Sequence, residues 1–322
     1  MEKVLCGVDL GGTKLSIGLV SNEGMLIEKI LIYDHQTKSE DMVVESIALT
    51  IKRLLRTNNY DQENLLGIGL GFAGHLRFSD GVIITTSNLA GFKGYPIRDR
   101  LQEYFKAPVI IDNDANAQAY GEFQFGAGKG YSDFIFLTLS TGIGAGIVIN
   151  RKVYRGFTGT AGELGHTIID PRSEFRCTCG NKGCFMACAS GLVVADVYRK
   201  KVLEGKKSLM IHGENFDFRT VDGKFIKTGF ESGDPVSIEI IDDFAAYTGI
   251  GLYNIFQTFN PPLIILGGGL THWGVYYLDG IKKKFYSLVG EMLYDPIEIN
   301  LAALEDDAGL IGAAALTKEL FL

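Results

Sequence analysis

The sequence predicts an α/β protein made of two related halves with a cleft between them. Residues 4–20 and 134–150 each consist of a β-rich run, a glycine-rich turn and a second β-rich run, which indicates an internal duplication. Glycine accounts for 41 of the 322 residues, about twice its usual share, whereas there are only seven prolines. Without a collagen-like period, so many glycines favour tight turns and close approaches of the backbone to a ligand.

The first half of the chain predicts a sheet with helices packed on it. Apolar residues at helical spacing predict an amphipathic helix over residues 42–56. Strands are predicted at 4–10, 15–20, 25–34, 65–72, 81–87 and 108–114, and further helices at 97–105 and from residue 115 onward.

The second half begins with the glycine-turn unit at residues 134–150. Helices are predicted at 190–203, 236–259 and 307–320, and a strand at 261–266 runs into three glycines. Alternating residues in 216–228 predict an inserted hairpin near 209–234 that turns at Asp222-Gly223. No low-complexity linker is present, so we place the domain boundary near residues 118–125.

The charge balance excludes some classes of partner. Lys and Arg number 31 and Asp and Glu 38, which gives a formal net charge of −7 and argues against broad binding to nucleic acid or membrane surfaces. Glu2, Lys3 and Asp9 interrupt the apolar region that a secretory signal would need, and no stretch approaches the ~20 apolar residues of a membrane helix. We therefore expect a cytoplasmic protein with no nucleic-acid or membrane partner.

The turn from Asp9 to Lys14, Asp-Leu-Gly-Gly-Thr-Lys, nearly matches a P-loop. Its order Gly-Thr-Lys and the strand that follows do not fit that motif, which needs Gly-Lys-Ser/Thr and a helix. What remains is a hairpin whose amides can cradle a phosphate, with Asp9 placed to hold a hydrated Mg²⁺. A plain tight turn is the alternative.

Three further glycine-rich segments are weak signals alone. Gly69–Gly74 matches the dinucleotide pattern GxGxxG but no helix follows it, so we interpret it as backbone that approaches a small ligand. Ser140–Gly146 places hydroxyls and bare amides in the second glycine turn, and Gly267–Gly269 offers bare backbone to an adenine or a ribose. Together, in a protein of two halves, these turns predict a nucleotide-binding cleft.

The polar cluster Asp112-Asn113-Asp114 follows a predicted buried strand and precedes a helix. Phosphoryl transfer to a sugar needs a carboxylate that accepts the hydroxyl proton and polar groups that orient the sugar. Capping of the helix by Asp or Asn is the alternative. Three polar residues exceed what one cap needs, which favours a functional role.

A metal-binding pattern is the strongest chemical signal in the sequence. His166 precedes Cys177, Cys179 and Cys184, whose Cys-x-Cys-x4-Cys spacing predicts a tetrahedral Cys₃His zinc site. The alternative for these three cysteines is that they are buried free thiols. Cys6 and Cys188 are predicted to be ordinary buried thiols. The second ring nitrogen of a ligated His166 would still be available for a substrate hydroxyl.

Five segments, in order, resemble the ROK family of sugar kinases and related regulators over essentially the whole chain. GVDLGGTKLSIGLV and LSTGIGAGIVI are similar to its two phosphate motifs, IDNDANAQAYGE to its catalytic strand, GELGH with CTCGNKGC to its signature and zinc motif, and NPPLIILGGG to its adenosine motif. The resemblance implies the two-domain actin-like ATPase (ribonuclease H-like) fold with an interdomain cleft. Its N-terminal domain would comprise residues 1–118 plus 306–322, and its C-terminal domain residues 119–305.

The resemblance also implies a glucokinase-like, ATP-dependent hexose kinase that phosphorylates the sugar 6-hydroxyl, with Asp114 as general base. Its implied cofactors are ATP, Mg²⁺ and structural Zn²⁺, and a homodimer is the expected assembly. The residues implied to bind the sugar are Gly74, His75, Ser87, Asn88, Asn113, Glu163 and the zinc ligand His166. The residues implied to bind the nucleotide and Mg²⁺ are Asp9, Gly11, Gly12, Thr13, Lys14, Thr141, Gly142, Gly267, Gly268 and Gly269.

One position departs from the family pattern. The family reads Gly-Cys-Leu-Glu after the zinc cysteines, and that Glu binds the sugar near its anomeric end, whereas this chain has Met186 there. A methionine cannot accept the hydroxyl hydrogen bond, and the unpaired hydroxyl typically costs about 1–3 kcal/mol. Either glucose binds more weakly, or the pocket accepts a β-glucoside or an N-acetylated sugar such as N-acetylmannosamine or N-acetylglucosamine, or the position has drifted without consequence.

Two non-enzymatic alternatives come from the same resemblance. Related repressors carry an N-terminal winged helix-turn-helix, for which a phosphate motif that begins at residue 7 leaves no room. A sugar sensor without catalysis would be expected to lose Asp114 or a phosphate turn, and all of these are present.

Overall fold

The computed structural model describes residues 2–86, 89–212, 216–292, 295 and 297–321. The chain divides into two compact units. Unit 1 comprises Met1–Phe136, Ala145–Gly162 and Ala302–Leu322, and unit 2 comprises Leu137–Gly144 and Glu163–Leu301. Among the described residues, no helix has both the length and the apolar character that crossing a bilayer requires.

Strands and helices alternate along the chain largely as the sequence predicts. Up to residue 125 the elements are β1 (Val4–Leu10), β2 (Leu15–Ser21), β3 (Leu26–Ile32), α1 (Glu40–Thr57), β4 (Leu65–Phe72), β5 (His75–Arg77), β6 (Val82–Thr85), α2 (Ile97–Gln102), β7 (Val109–Asn113) and α3 (Asp114–Phe125). They are followed by β8 (Phe134–Leu139), β9 (Ile143–Ile149), β10 (Lys152–Val153), α4 (Phe185–Ala189), α5 (Val194–Leu203), α6 (Gly223–Glu231), α7 (Pro235–Phe259), β11 (Leu263–Gly267), α8 (Val275–Val289), β12 (Glu298–Leu301) and α9 (Ala308–Leu316). The sequence does not predict α8.

The sheet of unit 1 has the strand order β3-β2-β1-β4-β7. Strands β1, β2 and β3 are antiparallel neighbours, whereas β4 and β7 run parallel to β1. Helix α1 begins after Ser39, whose side chain accepts the Met42 N–H, and buries its apolar stripe in the same core cluster as β1, β2 and β4. Helix α9 lies so close to the sheet that a Cβ at Gly7 or Gly69 would overlap its backbone.

A second sheet has the order β10-β9-β8-β11-β12. Strands β11 and β12 are parallel, and β9 and β10 form an antiparallel pair. The strand–turn–strand unit predicted at residues 134–150 is confirmed as β8 and β9. In unit 2, the 25-residue helix α7 is capped by Asp234 and approaches α4 closely at Gly251, where a Cβ would overlap the ring of Phe185.

The hairpin predicted near residues 209–234 is wrong. Residues 223–231 form α6, and Asp222, predicted as a turn residue, instead caps this helix by accepting the N–H of Phe225. The buried residues Ile226 and Gly229 are three positions apart, which is a helical spacing. The short alternation of apolar and polar residues in the same segment resembles a strand pattern and therefore misleads. Residues 213–215 of this segment lie outside the described residues.

The division between the units differs from the boundary predicted near residues 118–125. That boundary falls inside or at the end of α3, and unit 1 continues to Phe136. Helix α3 stays in unit 1 because it packs against α9, where a Cβ on Gly121 would lie 2.6 Å from the Cα of Gly312.

Glu122 is a fully buried carboxylate of α3 that accepts three backbone N–H groups from two other segments of unit 1. Its oxygens accept the N–H groups of Ala127 (2.6 Å), Ala303 (3.1 Å) and Leu304 (2.9 Å). Because Glu122→Gln replaces one of these acceptors with an N–H₂ group, it should lower the free energy of unfolding by about 2–3 kcal/mol. Urea unfolding measures this, with the exposed Glu45→Gln on α1 as a control; equal stability of the two variants would contradict the role assigned to Glu122.

Candidate functional site

The strand ends of unit 1 bring several predicted site residues to one edge of the sheet. The strand register pairs Asp9 with Gly71 and Gly71 with Asp112, and the next residue of β4, Phe72, pairs with Asn113. Because β1, β4 and β7 are parallel, their carboxyl ends lie side by side. The glycine turn after β1, the Gly74 segment after β4 and the Asn113-Asp114 pair after β7 therefore emerge at the same edge.

The glycine turn between β1 and β2, residues 11–14, is called the phosphate turn below. It is closed by a hydrogen bond from the Gly11 N–H to the carbonyl oxygen of Lys14 (3.0 Å). The carbonyl oxygen of Leu10 accepts the N–H of Ala73, at 3.3 Å, which holds the turn beside the segment that follows β4. Asp9 is half-buried near the end of β1, and desolvation raises its pKa to about 6 although the charge of Lys14 opposes the shift.

The raised pKa of Asp9 makes the stability of the metal-free protein depend on pH. Because this pKa is about 6 when folded and 3.8 ordinarily, the folded state binds more protons than the unfolded state between these values. The free energy of unfolding should therefore receive a contribution that decreases as the pH rises through this range. Asp9→Asn cannot ionise, so its stability relative to the wild type should increase from pH 4 to pH 7. Urea unfolding across that range measures the difference, and a constant difference would contradict the expectation.

The junction of β7 and α3 presents the predicted catalytic carboxylate. Asn113 is the N-cap of α3, since its side-chain oxygen accepts the N–H groups of Ala115 (2.9 Å) and Asn116 (3.3 Å). The capping interpretation is thus correct for Asn113. Asp114 is the first residue of the helix, where its half-buried carboxylate accepts the N–H of Ala115 at 2.9 Å.

Asp112 is buried beneath this junction and is paired with Arg155, a residue that no motif in the sequence marks. Its carboxylate accepts the N–H of Asn113 (2.7 Å), the side-chain amide of Asn116 (3.0 Å) and the Arg155 Nε–H (2.7 Å). The guanidinium of Arg155 also donates to both carboxylate oxygens of Glu319, at 3.0 and 2.9 Å. Burial raises the pKa of Glu319, and the charge of Arg155 opposes that shift. No sequence motif marks these partners, because their sequence separations are 43 and 164 residues.

The segment after β4 contains two further predicted sugar contacts. Gly74 accepts a hydrogen bond from the side-chain amide of Asn113 through its carbonyl oxygen (3.3 Å), so this loop touches the β7–α3 junction. His75 begins β5, and its Nδ1 lies 3.0 Å from the hydroxyl oxygen of Thr85. Ser87 and Asn88, also predicted to line the sugar pocket, lie outside the described residues.

In unit 2, the second glycine turn lies beside the three-glycine segment. The carbonyl oxygen of Thr141 accepts the N–H of Leu192 (2.9 Å), and the Ser140 N–H donates to the carbonyl oxygen of Gly142 (2.9 Å). Gly268 has a φ of 90°, and a Cβ there would lie 2.5 Å from the carbonyl oxygen of Leu139 at the end of β8. Gly268 therefore lies against the end of β8, from which the second glycine turn continues.

The predicted metal ligands meet in unit 2. One ligand atom from each of His166, Cys177, Cys179 and Cys184 lies within 4.8 Å of the others. His166 Nδ1 is 3.2 Å from Cys177 Sγ, and the sulfurs of Cys179 and Cys184 are 3.6 Å apart. A tetrahedral zinc ion with these ligands separates its donor atoms by ~3.5–3.8 Å, so the cluster fits Zn²⁺.

The surroundings of the four ligands also suit a cation. Burial raises the pKa of Cys184 to about 12, while a hydrogen bond from the backbone of Asn181 lowers the pKa of Cys179. A bound divalent cation would offset the cost of holding a buried thiolate. The other ring nitrogen of His166, Nε2, lies 3.7 Å from the carboxylate of Glu163, which places two predicted sugar contacts side by side.

Met186 lies in α4, two residues after Cys184, and only 8% of it is exposed. A Cβ at Gly142 would lie 3.4 Å from the Met186 sulfur, so this side chain packs beside the second glycine turn. An apolar side chain therefore occupies the position at which the ROK pattern has a glutamate.

Comparison with known proteins agrees with these features. A model of the ROK family matches residues 5–320. The chain belongs to the ROK family. The glucokinase of Halalkalibacterium halodurans is 33% identical to this ROK chain over 97% of this chain and 94% of the glucokinase. The xylose repressor of Caldicellulosiruptor bescii is 32% identical over 97% of this chain and 77% of the repressor.

A solved structure extends the likeness to three dimensions. The ROK family glucokinase from Streptomyces griseus, in complex with glucose and AMPPNP, has a TM-score of 0.82 at 30% identity, covering 98% of this chain and 99% of that chain. The present ROK chain has the actin-like ATPase fold, which confirms the predicted fold class.

Proposed function

We propose that this ROK protein is an ATP-dependent hexose kinase of the glucokinase type, which phosphorylates the sugar 6-hydroxyl. The observation that carries the proposal is the half-buried Asp114 carboxylate at the β7–α3 junction, on the same sheet edge as the phosphate turn. The end-to-end similarity to glucokinases supports the same reaction. A carboxylate beside a phosphate site is the arrangement that transfer to an alcohol needs.

In the proposed reaction, Asp114 accepts the proton of the sugar 6-hydroxyl as its oxygen attacks the γ-phosphorus of ATP. The bond between the γ-phosphorus and the bridging oxygen breaks, and ADP leaves with that electron pair. Asn113 and Gly74 are fixed to each other by their hydrogen bond, so they can orient the sugar together with His75. Glu163 and His166 of unit 2 bind further hydroxyls. Ser87 and Asn88, from the first part of the chain, complete the proposed set of sugar contacts.

The two glycine turns are proposed to bind the nucleotide. The N–H groups of Gly12 and Gly142 and the hydroxyls of Thr13 and Thr141 can donate to phosphate oxygens, and Lys14 adds a positive charge. Gly11, whose own N–H closes the turn onto Lys14, lets the backbone approach the phosphates without a side chain. Gly267, Gly268 and Gly269 offer backbone without side chains to the adenosine. Asp9 is placed to hold Mg²⁺, directly or through water, and this ion would neutralise charge on the phosphates.

The Cys₃His cluster is proposed as a structural zinc site. The ligands are His166, Cys177, Cys179 and Cys184, and four protein ligands leave no open position for a reacting water. The site would fix the ring of His166 so that its Nε2 and the Glu163 carboxylate face the sugar. The proposed zinc ion would thus orient His166 and stabilise the folded protein, without taking part in the chemical step.

Met186 favours a second candidate substrate class within the same activity. A buried thioether beside the second glycine turn cannot accept a hydroxyl hydrogen bond in the way a carboxylate does. A hexose with an apolar or acetylated substituent, such as a β-glucoside, N-acetylmannosamine or N-acetylglucosamine, would avoid that unpaired hydroxyl. A non-catalytic sugar sensor is the remaining alternative, because repressors are also among the relatives of the chain.

An ADP-release assay over a panel of sugars tests these proposals. The panel comprises glucose, mannose, N-acetylmannosamine, N-acetylglucosamine, fructose, allose and a β-glucoside. We expect ATP-dependent turnover with at least one of them, and faster turnover of glucose than of the substituted sugars would remove the role given to Met186. Thermal shifts with a sugar but no turnover would instead indicate a sensor and contradict the kinase.

A further inference from the structure

His35 is a buried histidine that contacts the phosphate turn and that the proposed reaction does not use. It begins a short 3-10 turn, His35–Thr37, after β3, and only 1% of it is exposed. Its Nε2 lies 2.9 Å from the carbonyl oxygen of Gly11. Its Nδ1 is buried without a hydrogen-bond partner among the described residues.

These contacts fix the tautomer of His35. A carbonyl oxygen can only accept, so the hydrogen is assigned to Nε2, which donates it to Gly11. Nδ1 then keeps an unpaired lone pair in the protein interior, which costs free energy that an apolar side chain would avoid. A buried group of this kind needs an explanation, and the hydrogen bond made by the other ring nitrogen supplies it.

The hydrogen bond controls the orientation of the peptide unit between Gly11 and Gly12. In a planar trans peptide, the carbonyl of one residue and the N–H of the next point in opposite directions. A Gly11 carbonyl held against His35 therefore turns the Gly12 N–H to the opposite side of the turn. Between two glycines this peptide could flip at little cost, because glycine also tolerates positive φ, yet neither residue has a positive φ here.

We propose that His35 is a positioning residue for the phosphate turn: it tethers the Gly11 carbonyl and so presents the Gly12 N–H to a nucleotide phosphate. The proposal rests on the proposed function, in which this turn binds ATP. A flipped peptide would present the Gly11 carbonyl oxygen instead, whose partial negative charge repels a phosphate. Loss of the tether should therefore weaken nucleotide binding and leave sugar binding unchanged.

Two substitutions separate the hydrogen bond from the packing of the ring. His35→Phe keeps a ring of similar size without a donor, whereas His35→Gln can place an amide N–H near the position of Nε2–H. For His35→Phe, loss of one hydrogen bond should raise the ADP Kd from calorimetry and the KM for ATP about tenfold, while the KM for the hexose changes less than about twofold. His35→Gln should retain most of the wild-type ADP affinity. Thermal melting verifies that both variants fold, and His35→Leu replaces the Phe variant if that does not.

Three results would overturn the role of His35. They are an unchanged ADP affinity in His35→Phe, an equal loss in His35→Phe and His35→Gln, and a parallel rise of the hexose KM. The calorimetric measurement needs no turnover. A wild-type protein that binds ADP but phosphorylates no hexose would therefore contradict the proposed function, while the ADP affinities of the variants still decide the role of His35.

Discussion

Asp114→Asn should lower kcat by about 10²–10⁴-fold while the hexose still binds, because the amide cannot accept the hydroxyl proton in the transition state. Its side chain keeps the shape of the carboxylate, and Asn113 continues to cap α3, so the fold should be unchanged. The measurement is kcat from ADP release combined with the Kd for the hexose from calorimetry. The surface variant Asp99→Asn on α2 is the matched control and should have wild-type kcat.

The two quantities together decide the role of Asp114. A kcat within about tenfold of the wild type would remove Asp114 as the general base, since such a base normally contributes more than that. Loss of hexose binding together with kcat would indicate that the carboxylate mainly binds the sugar.

Removal of the metal from the Cys₃His cluster should destabilise the protein and abolish sugar affinity together. The four candidate ligand atoms lie within 4.8 Å of one another, so a bound ion would hold His166 in place and join it to the loop that carries Cys177, Cys179 and Cys184. If the ion contributes about 2–3 kcal/mol, the Tm should fall by about 3–5 °C after chelation. Elemental analysis should give one zinc per chain before chelation, and Cys184→Ser should reproduce both losses.

A matched cysteine variant distinguishes loss of metal from general damage to the core. Cys188 is buried in α4, close in sequence to Cys184, but is not one of the four ligands. Cys188→Ala should keep its zinc and its sugar affinity. An unchanged melting curve after complete removal of zinc would contradict a structural role for the cluster.

Much of the fold could be predicted because local patterns and long-range packing agree. The apolar stripe at residues 42–56 is a local signal, and it appears in the structure as α1. The short strands around the two glycine turns are also local signals, and they appear as β1, β2, β8 and β9. The metal ligands were also predictable, because Cys177, Cys179 and Cys184 lie within eight residues of one another.

Other features depend on contacts that no local pattern shows. In residues 216–228, a short alternation suggests strands, but the cap at Asp222 and the packing of Gly229 against Ser237 of α7 favour α6. The partners of Arg155 come from β7 and from the last residues of the chain. His35 is an isolated histidine in the sequence, and only the fold places it against Gly11.

The phosphorus NMR spectrum of the reaction shows directly whether the protein phosphorylates the 6-hydroxyl of a hexose. The protein is incubated with ATP, Mg²⁺ and the hexose that gives the fastest ADP release. A hexose 6-kinase forms one phosphosugar for each ADP, with its phosphorus coupled to the C6 protons of the hexose. Phosphate on another hydroxyl would contradict the assigned position, and release of inorganic phosphate without a phosphosugar would contradict the kinase itself.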